Sequence, residues 1–308
     1  MISFYYCSMC RDINRLHGHL LNERVLQLQS WHKRVLPENF FSTLTTLRLY
    51  NIPFRFSLNQ INIVTASASK ITCLSGLLTN IPKRAIKCMT QLDTLAFMYS
   101  EHAATTTNFT ELMEMNQNRM ENLSITSFSH KLFGNIVHLH VFTNLTSLHL
   151  KSEFKLLNER KYEWKLIVNF INKCPSLQKL ALPGVFVGEE ECTPELQLQS
   201  LSVDISMYSH EPYVEKLMTR YKATLVSLEI VLLTTNTSIF FHDWELPNVK
   251  NMNIVHRFPA TLNGGIQKDT DVKSHFRNDC NIKSSSLMSC RTPGIGNTSY
   301  DTFHNMFK

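Results

Sequence analysis

Residues 167–185 read IVNFINKCPSLQKLALPGV, and two different periods meet within them. Ile167, Val168 and Ile171, with Trp164 just upstream, fall at i, i+3, i+4 and i+7, which is one face of a helix. Pro175 ends that pattern. Leu177, Leu180 and Leu182 then follow as apolar-x-x-apolar-x-apolar. The last two are two residues apart, so a strand sends both to one face and turns Ala181 to the other. A helix running straight into a buried strand is the unit of an α/β fold.

The strand half recurs on both sides. It appears as Leu44, Leu47, Leu49, as Leu58, Ile61, Ile63, and as Leu92, Leu95, Phe97. It returns as Met120, Leu123, Ile125, as Leu145, Leu148, Leu150, and at Leu177. Leu198, Leu201, Val203, then Leu225, Leu228, Ile230, then Val249, Met252, Ile254 complete the series. The nine starts are 14 to 34 residues apart, and both extremes adjoin Leu58. Ile71, Leu74 and Leu77 offer a distorted repeat in its place. The mean interval lies in the roughly 20–29 residues of a leucine-rich repeat. No single repeat can bury its own apolar column, so the units must stack.

Helical stripes separate the strands. Val214, Leu217, Met218 and Tyr221 repeat the spacing seen at Trp164, and Phe109, Leu112 and Met113 form a weaker version. The expected architecture is α/β, a leucine-rich-repeat solenoid or horseshoe with parallel concave strands and convex helices. Residues 44–260 form the repeats, residues 1–43 a cap or module before them, and residues 261–308 a disordered tail. That tail is polar, rich in Gly and Ser, and without periodicity.

Residues 167–185 resemble the repeat of F-box/leucine-rich-repeat proteins, in which a helix ends in Cys-Pro before a polar residue and Leu-x-x-Leu-x-Leu. Cys174, Pro175, Ser176, Leu177, Leu180 and Leu182 match position by position. Elsewhere the likeness is carried by apolar spacing alone, over about residues 40–258, and the Asn or Cys often found after the strand is missing. The resemblance implies a ribonuclease-inhibitor-like horseshoe that holds a protein target on its concave face. It also implies an F-box that binds the adaptor of a cullin-type ubiquitin ligase.

The F-box itself is incomplete. Leu36-Pro37-Glu38 is similar to its opening, but the closing Cys-x-x-Trp is absent from LNQINIVTA further on. Read as the end of the module, WHKRVLPENF fits better, with Trp31 as the terminal tryptophan and Leu28 where the family has Cys. Residues 1–34 are then a truncated or eroded F-box. The alternative is an N-terminal helix capping the exposed end of the solenoid.

Composition narrows the function classes. The 308 residues are 43% hydrophobic and 18% charged, enough to bury a core, and no run approaches the roughly 20 apolar residues of a membrane span. The net charge of +6 divides as +2 in residues 1–43, +2 in 44–260 and +2 in 261–308. Nucleic-acid binding needs concentrated positive charge, and this excess is spread thinly, so that class is disfavoured. The eight cysteines of a chain without a secretory signal are read as thiols rather than a disulfide framework. A cytoplasmic or nuclear location follows.

Chemistry-bearing motifs are sparse. Cys7, Cys10, His17 and His19 supply zinc-ligand types, but the pairs are closer than zinc sites require. His138 and His140 would share a strand face without an evident third ligand. No phosphate loop, nucleophile elbow or H-E-x-x-H is present, so no catalytic residue, metal or cofactor is assigned and a non-enzymatic role is expected. Strand alternation turns Arg48, Tyr50, His149, Lys151, Asp204 and Glu229 toward a partner, with Trp31 the candidate contact for the adaptor.

Overall fold

The computed structural model describes residues 25–28, 45–49, 65–66, 68–100, 102–126, 131–136, 139, 141–151, 162–182, 186–187, 196–205, 217–232, 246–258 and 281–288. The chain forms two compact units. One comprises Met1–Leu182 with Phe186–Leu198, the other Pro183–Val185 with Gln199–Lys308.

In the first unit the strands are β1 (Val25–Leu28), β2 (Thr46–Leu49), β3 (Cys73–Gly76), β4 (Thr94–Met98), β5 (Asn122–Thr126), β6 (Ser147–Lys151) and β8 (Lys179–Leu182). They lie side by side in chain order, and every pairing is parallel. A short separate parallel pair joins β7 (Tyr162–Glu163) to β9 (Phe186–Val187). The second unit repeats the plan with β10 (Ser200–Ile205), β11 (Ser227–Leu232), β12 (Asn251–Phe258) and β13 (Asn281–Met288), again parallel in chain order. The fold is α/β, with all-parallel open sheets whose strands alternate with helices, as in a leucine-rich-repeat solenoid.

The strand register carries the sequence pattern. Leu26, Leu47, Leu74, Leu95, Leu123, Leu148 and Leu180 form one row across the first sheet. Leu201, Leu228, Met252 and Ile282 form the corresponding row in the second. Leu74, Leu95, Leu148, Leu201 and Leu228 are fully buried. Each such side chain removed from water contributes about 1.5–3 kcal/mol, which no isolated strand could gain.

A forked hydrogen bond recurs from repeat to repeat. The carbonyl of Thr45 accepts the N–H groups of both Thr72 and Cys73, at 2.8 and 3.1 Å. Thr72, Asp93, Glu121 and Thr146 do the same for the next repeat, and Gln199 and Val226 do so in the second unit. The accepting residue always directly follows the first apolar residue of its repeat. Side chains add a second step on the rim: Asn144 donates to the Asn118 carbonyl, Ser176 to Thr143 and Asn248 to Ala223.

This ladder settles the irregular place in the sequence. Thr72 occupies the accepting position, so the repeat begins at Ile71, whose side chain is fully buried. Its third apolar position is not Leu77 but Gly76, which pairs in register with Leu49 and Phe97. Gly76 has φ 126°, a conformation that a side chain disfavours, and the chain then turns into a short 3-10 segment at Leu78–Asn80. The alternative at Leu58 lies outside the described residues. With Ile71 as a start, successive repeats begin 21 to 32 residues apart.

Helices cover one face of the first sheet. They are α1 (Lys83–Ile86), α2 (Ala103–Asn116), α3 (Lys131–Asn135) and α4 (Trp164–Ile171). Phe109 of α2 meets Phe97 of β4 with ring centroids 5.2 Å apart. Phe170 of α4 stacks on Phe133 of α3 at 4.4 Å and also meets Phe142 at 5.3 Å. The stripe Ile167, Val168, Ile171 is buried as expected. In the second unit residues 217–221 are helical, with Leu217, Met218 and Tyr221 buried. Val214 lies outside the described residues.

The weaker stripe belongs to the longest of these helices. α2 starts at Ala103, with His102 as its N-cap accepting the Ala104 N–H. Its buried face includes Thr105, Asn108 and Asn116 as well as Phe109, Leu112 and Met113. Thr105, Asn108 and Asn116 are each matched by a hydrogen bond. Thr105 bonds to Ser100 at 2.7 Å, and Asn108 donates to the Leu78 carbonyl at 2.8 Å. Asn116 bridges the Leu92 N–H and the Met89 and Leu112 carbonyls.

Three expectations meet a different outcome. Where the N-terminal segment was expected to cap or precede the repeats as a helix, residues 25–28 form a strand in register with β2. Its repeat would begin at Glu23, so the pattern lacks its first apolar residue. Within the expected tail, β13 pairs with β12, although Asp279 stands at the corresponding start and Ser284 pairs with Ile254. The third concerns the alternate strand residues, expected to face solvent: Ser75, Ala96, Ser124 and Ala181 are buried.

Candidate functional site

The face of each sheet opposite its buried leucine row aligns the alternate side chains of successive strands and is termed its open face. In the first unit the register sets Arg48, Ser75, Ala96, Ser124, His149 and Ala181 in its central row. Because the small members are buried, exposure passes to the flanking positions. Met98, Thr126 and Lys151 are half-buried and Lys179 is exposed.

His149 is the one large described side chain in that row. Its Nε2 lies 3.0 Å from Ser147 Oγ on the same strand. Ser147 pairs in register with Lys179, and Lys151 follows His149 by two residues on the same face. Burial, reinforced by the positive charges of Lys151 and Lys179, lowers the imidazole pKa to about 4. His149 is therefore neutral at physiological pH, and the positive charge of this patch resides on the two lysines.

The open face of the second unit has a different chemistry. Ser202 Oγ donates to Glu229 Oε2 at 3.1 Å, and Asn253 Nδ2 donates to Oε1 at 3.4 Å. These three residues stand side by side in register on β10, β11 and β12. The carboxylate is thus held from both flanks, a cross-strand ladder that orders the sheet surface. Asp204 lies two residues beyond Ser202 on the same strand face, half-buried.

Of the residues picked out in the sequence, the fold brings His149 and Lys151 together, and places Asp204 and Glu229 on neighbouring strands of the other unit. Arg48 takes its place in the central row by register. Tyr50 and Trp31 lie outside the described residues, as do Cys7, Cys10, His17, His19, His138 and His140. Lys179 and Ser147 were missed. Both precede the second apolar residue of their repeats, a position that also faces outward and that register alone aligns.

The described cysteines Cys73, Cys88 and Cys174 are thiols, not disulfide halves. Cys174 is fully buried and donates to the Phe170 carbonyl at 3.3 Å, and burial pushes its pKa well above the ordinary thiol range. It packs the helix end rather than offering a nucleophile. A cleft lined by Phe133, Ile136, Asn169, Phe170 and Lys173 holds about 10 Å³, room for a single water. Among the described residues no cluster of three or more His, Cys, Asp or Glu is placed to hold a metal, and no helix is long and apolar enough to cross a membrane.

No protein-family model matches the chain, and no curated protein matches it. What the chain does is therefore carried by its fold and the chemistry of its open faces.

Proposed function

We propose that the chain is a non-enzymatic protein-binding scaffold whose open sheet faces hold the target. The observation that carries this reading is the division of labour across the sheets. One face is packed with leucine rows and helices, while the other aligns polar and charged side chains from successive repeats. Such a surface supplies many contacts from rigid strands, and a few anchors in it dominate the affinity.

A finer reading makes the chain the substrate-recognition subunit of a cullin-type ubiquitin ligase. It is supported by the Cys174-Pro175-Ser176-Leu177 junction and by Trp31 in an eroded F-box exit. The competing reading is a repeat module with no link to ubiquitin. Affinity purification with residues 1–43 intact separates them: recovery of the cullin adaptor supports the ligase subunit, and its absence leaves the plain scaffold. The scaffold reading predicts that substitutions at Thr126 or Asn253 release the co-purifying target, while substitutions at the helix positions Glu114 and Lys165 do not.

A further inference from the structure

We infer that the open face of the first unit docks an extended acidic segment of a partner protein along β6, with carboxylates on Lys179 and Lys151 and the chain passing over His149. This rests on the scaffold reading and names the chemistry of the partner.

The geometry comes from register. Lys179 stands beside Ser147 on the neighbouring strand, and Lys151 lies four residues beyond Ser147 on the same strand face. At about 3.3 Å per residue and about 4.8 Å between strands, the two lysine Cα atoms are about 14 Å apart, with His149 midway. That separation is about four residues of extended polypeptide. The small buried residues Ser124 and Ala181 flank His149 across the strands. Among the described residues, the His149 imidazole is then the one bulky side chain of the central row that a peptide backbone meets between the two lysines.

Electrostatics points the same way. Both lysines act on the His149 imidazole and disfavour its protonation, so their fields converge on the place where the segment would lie. A bound carboxylate reverses that disadvantage. Nucleic acid fits less well, because a phosphate backbone demands many cationic contacts and the described residues of this patch offer two ammonium groups around a neutral imidazole.

The test uses the full-length chain and a fluorescein-labelled deca-glutamate peptide, with deca-glutamine and a single-stranded RNA of equal charge as comparisons. Fluorescence anisotropy at low salt is expected to show binding of the acidic peptide in preference to both. The double variant K151E/K179E is expected to weaken it by about tenfold or more, since like charges then face each other. The variant R84E/K87E, on the helical side, is expected to leave it unchanged, which separates a local site from general charge. Equal loss in both variants, no binding of the acidic peptide, or preference for RNA overturns the proposal. The scaffold reading is judged separately by photo-crosslinking from Thr126. If that position captures a target that deca-glutamate does not displace, the scaffold stands and the acidic partner falls.

Discussion

The side-chain oxygen of Asn116 accepts the backbone N–H of Leu92 at 3.0 Å, joining the end of α2 to the start of its own repeat 24 residues earlier. The amide nitrogen of the same side chain donates to the Met89 carbonyl at 2.8 Å and the Leu112 carbonyl at 2.9 Å. One buried asparagine therefore satisfies three backbone groups that the turn between α1 and β4 and the end of α2 leave open. Each such group left unmatched in the interior costs about 1–3 kcal/mol.

Asn116→Ala consequently removes more than a side chain. The expected loss is about 2–4 kcal/mol, set by the orphaned Leu92 N–H and Met89 carbonyl. Asn116→Asp keeps the acceptor but loses the donor and buries a charge, so it should do no better. Urea unfolding followed by far-UV circular dichroism checks this, and a change below the error of the extrapolation contradicts the bridging role.

Gly76 closes the irregular repeat with φ 126°. Gly76→Ala should cost about 1–2 kcal/mol through backbone strain alone. Gly134 is an exposed helical position with nothing near the place of an added Cβ. Gly134→Ala should be neutral or stabilising by up to about 1 kcal/mol. Thermal melts of the two variants should therefore move in opposite directions.

The depressed pKa of His149 links stability to pH. The unfolded imidazole binds a proton below its ordinary value of 6.5, whereas the folded one does so only near 4. The unfolded state holds more protons between those values, so this contribution is fully present above pH 6.5 and is lost as pH falls toward 4. His149→Gln should flatten that part of the curve. A titration of the imidazole by NMR should find it neutral at pH 6, and a midpoint near 6.5 would contradict the buried position.

Cys174 should be inert in the native state. Its thiol is buried and its pKa is raised, so the reactive thiolate is scarce. Iodoacetamide should modify it only on unfolding, which peptide mapping after labelling in buffer and in denaturant would show. Rapid native labelling contradicts the reading of Cys174 as a packing residue.

Much of the fold is legible in the sequence because the burial column is written in leucine. Leu95, Leu123, Leu148, Leu201 and Leu228 mark their strands by spacing alone. The pattern fails where another residue does the same work. Gly76 replaces an apolar residue because the chain turns there, and Glu23 and Asp279 stand where the apolar spacing of the β1 and β13 repeats would begin. Thr105, Asn108 and Asn116 hid half of α2, since a buried polar residue that is hydrogen-bonded to backbone breaks an apolar stripe without breaking the helix. The candidate site was legible only in part. His149 and Lys151 follow from alternation, but Lys179 joins them through register, which one strand read alone does not contain.

The central claim is that the open sheet faces, and not the helical side, are the recognition surface. A photo-crosslinking amino acid placed singly at Thr126 or Asn253, and at Glu114 or Lys165 on the helices, tests it in cells that express the chain. The account predicts a discrete crosslinked partner from the open-face positions and none from the helical ones. The same partner captured from Glu114 or Lys165, with Thr126 and Asn253 silent, would contradict it.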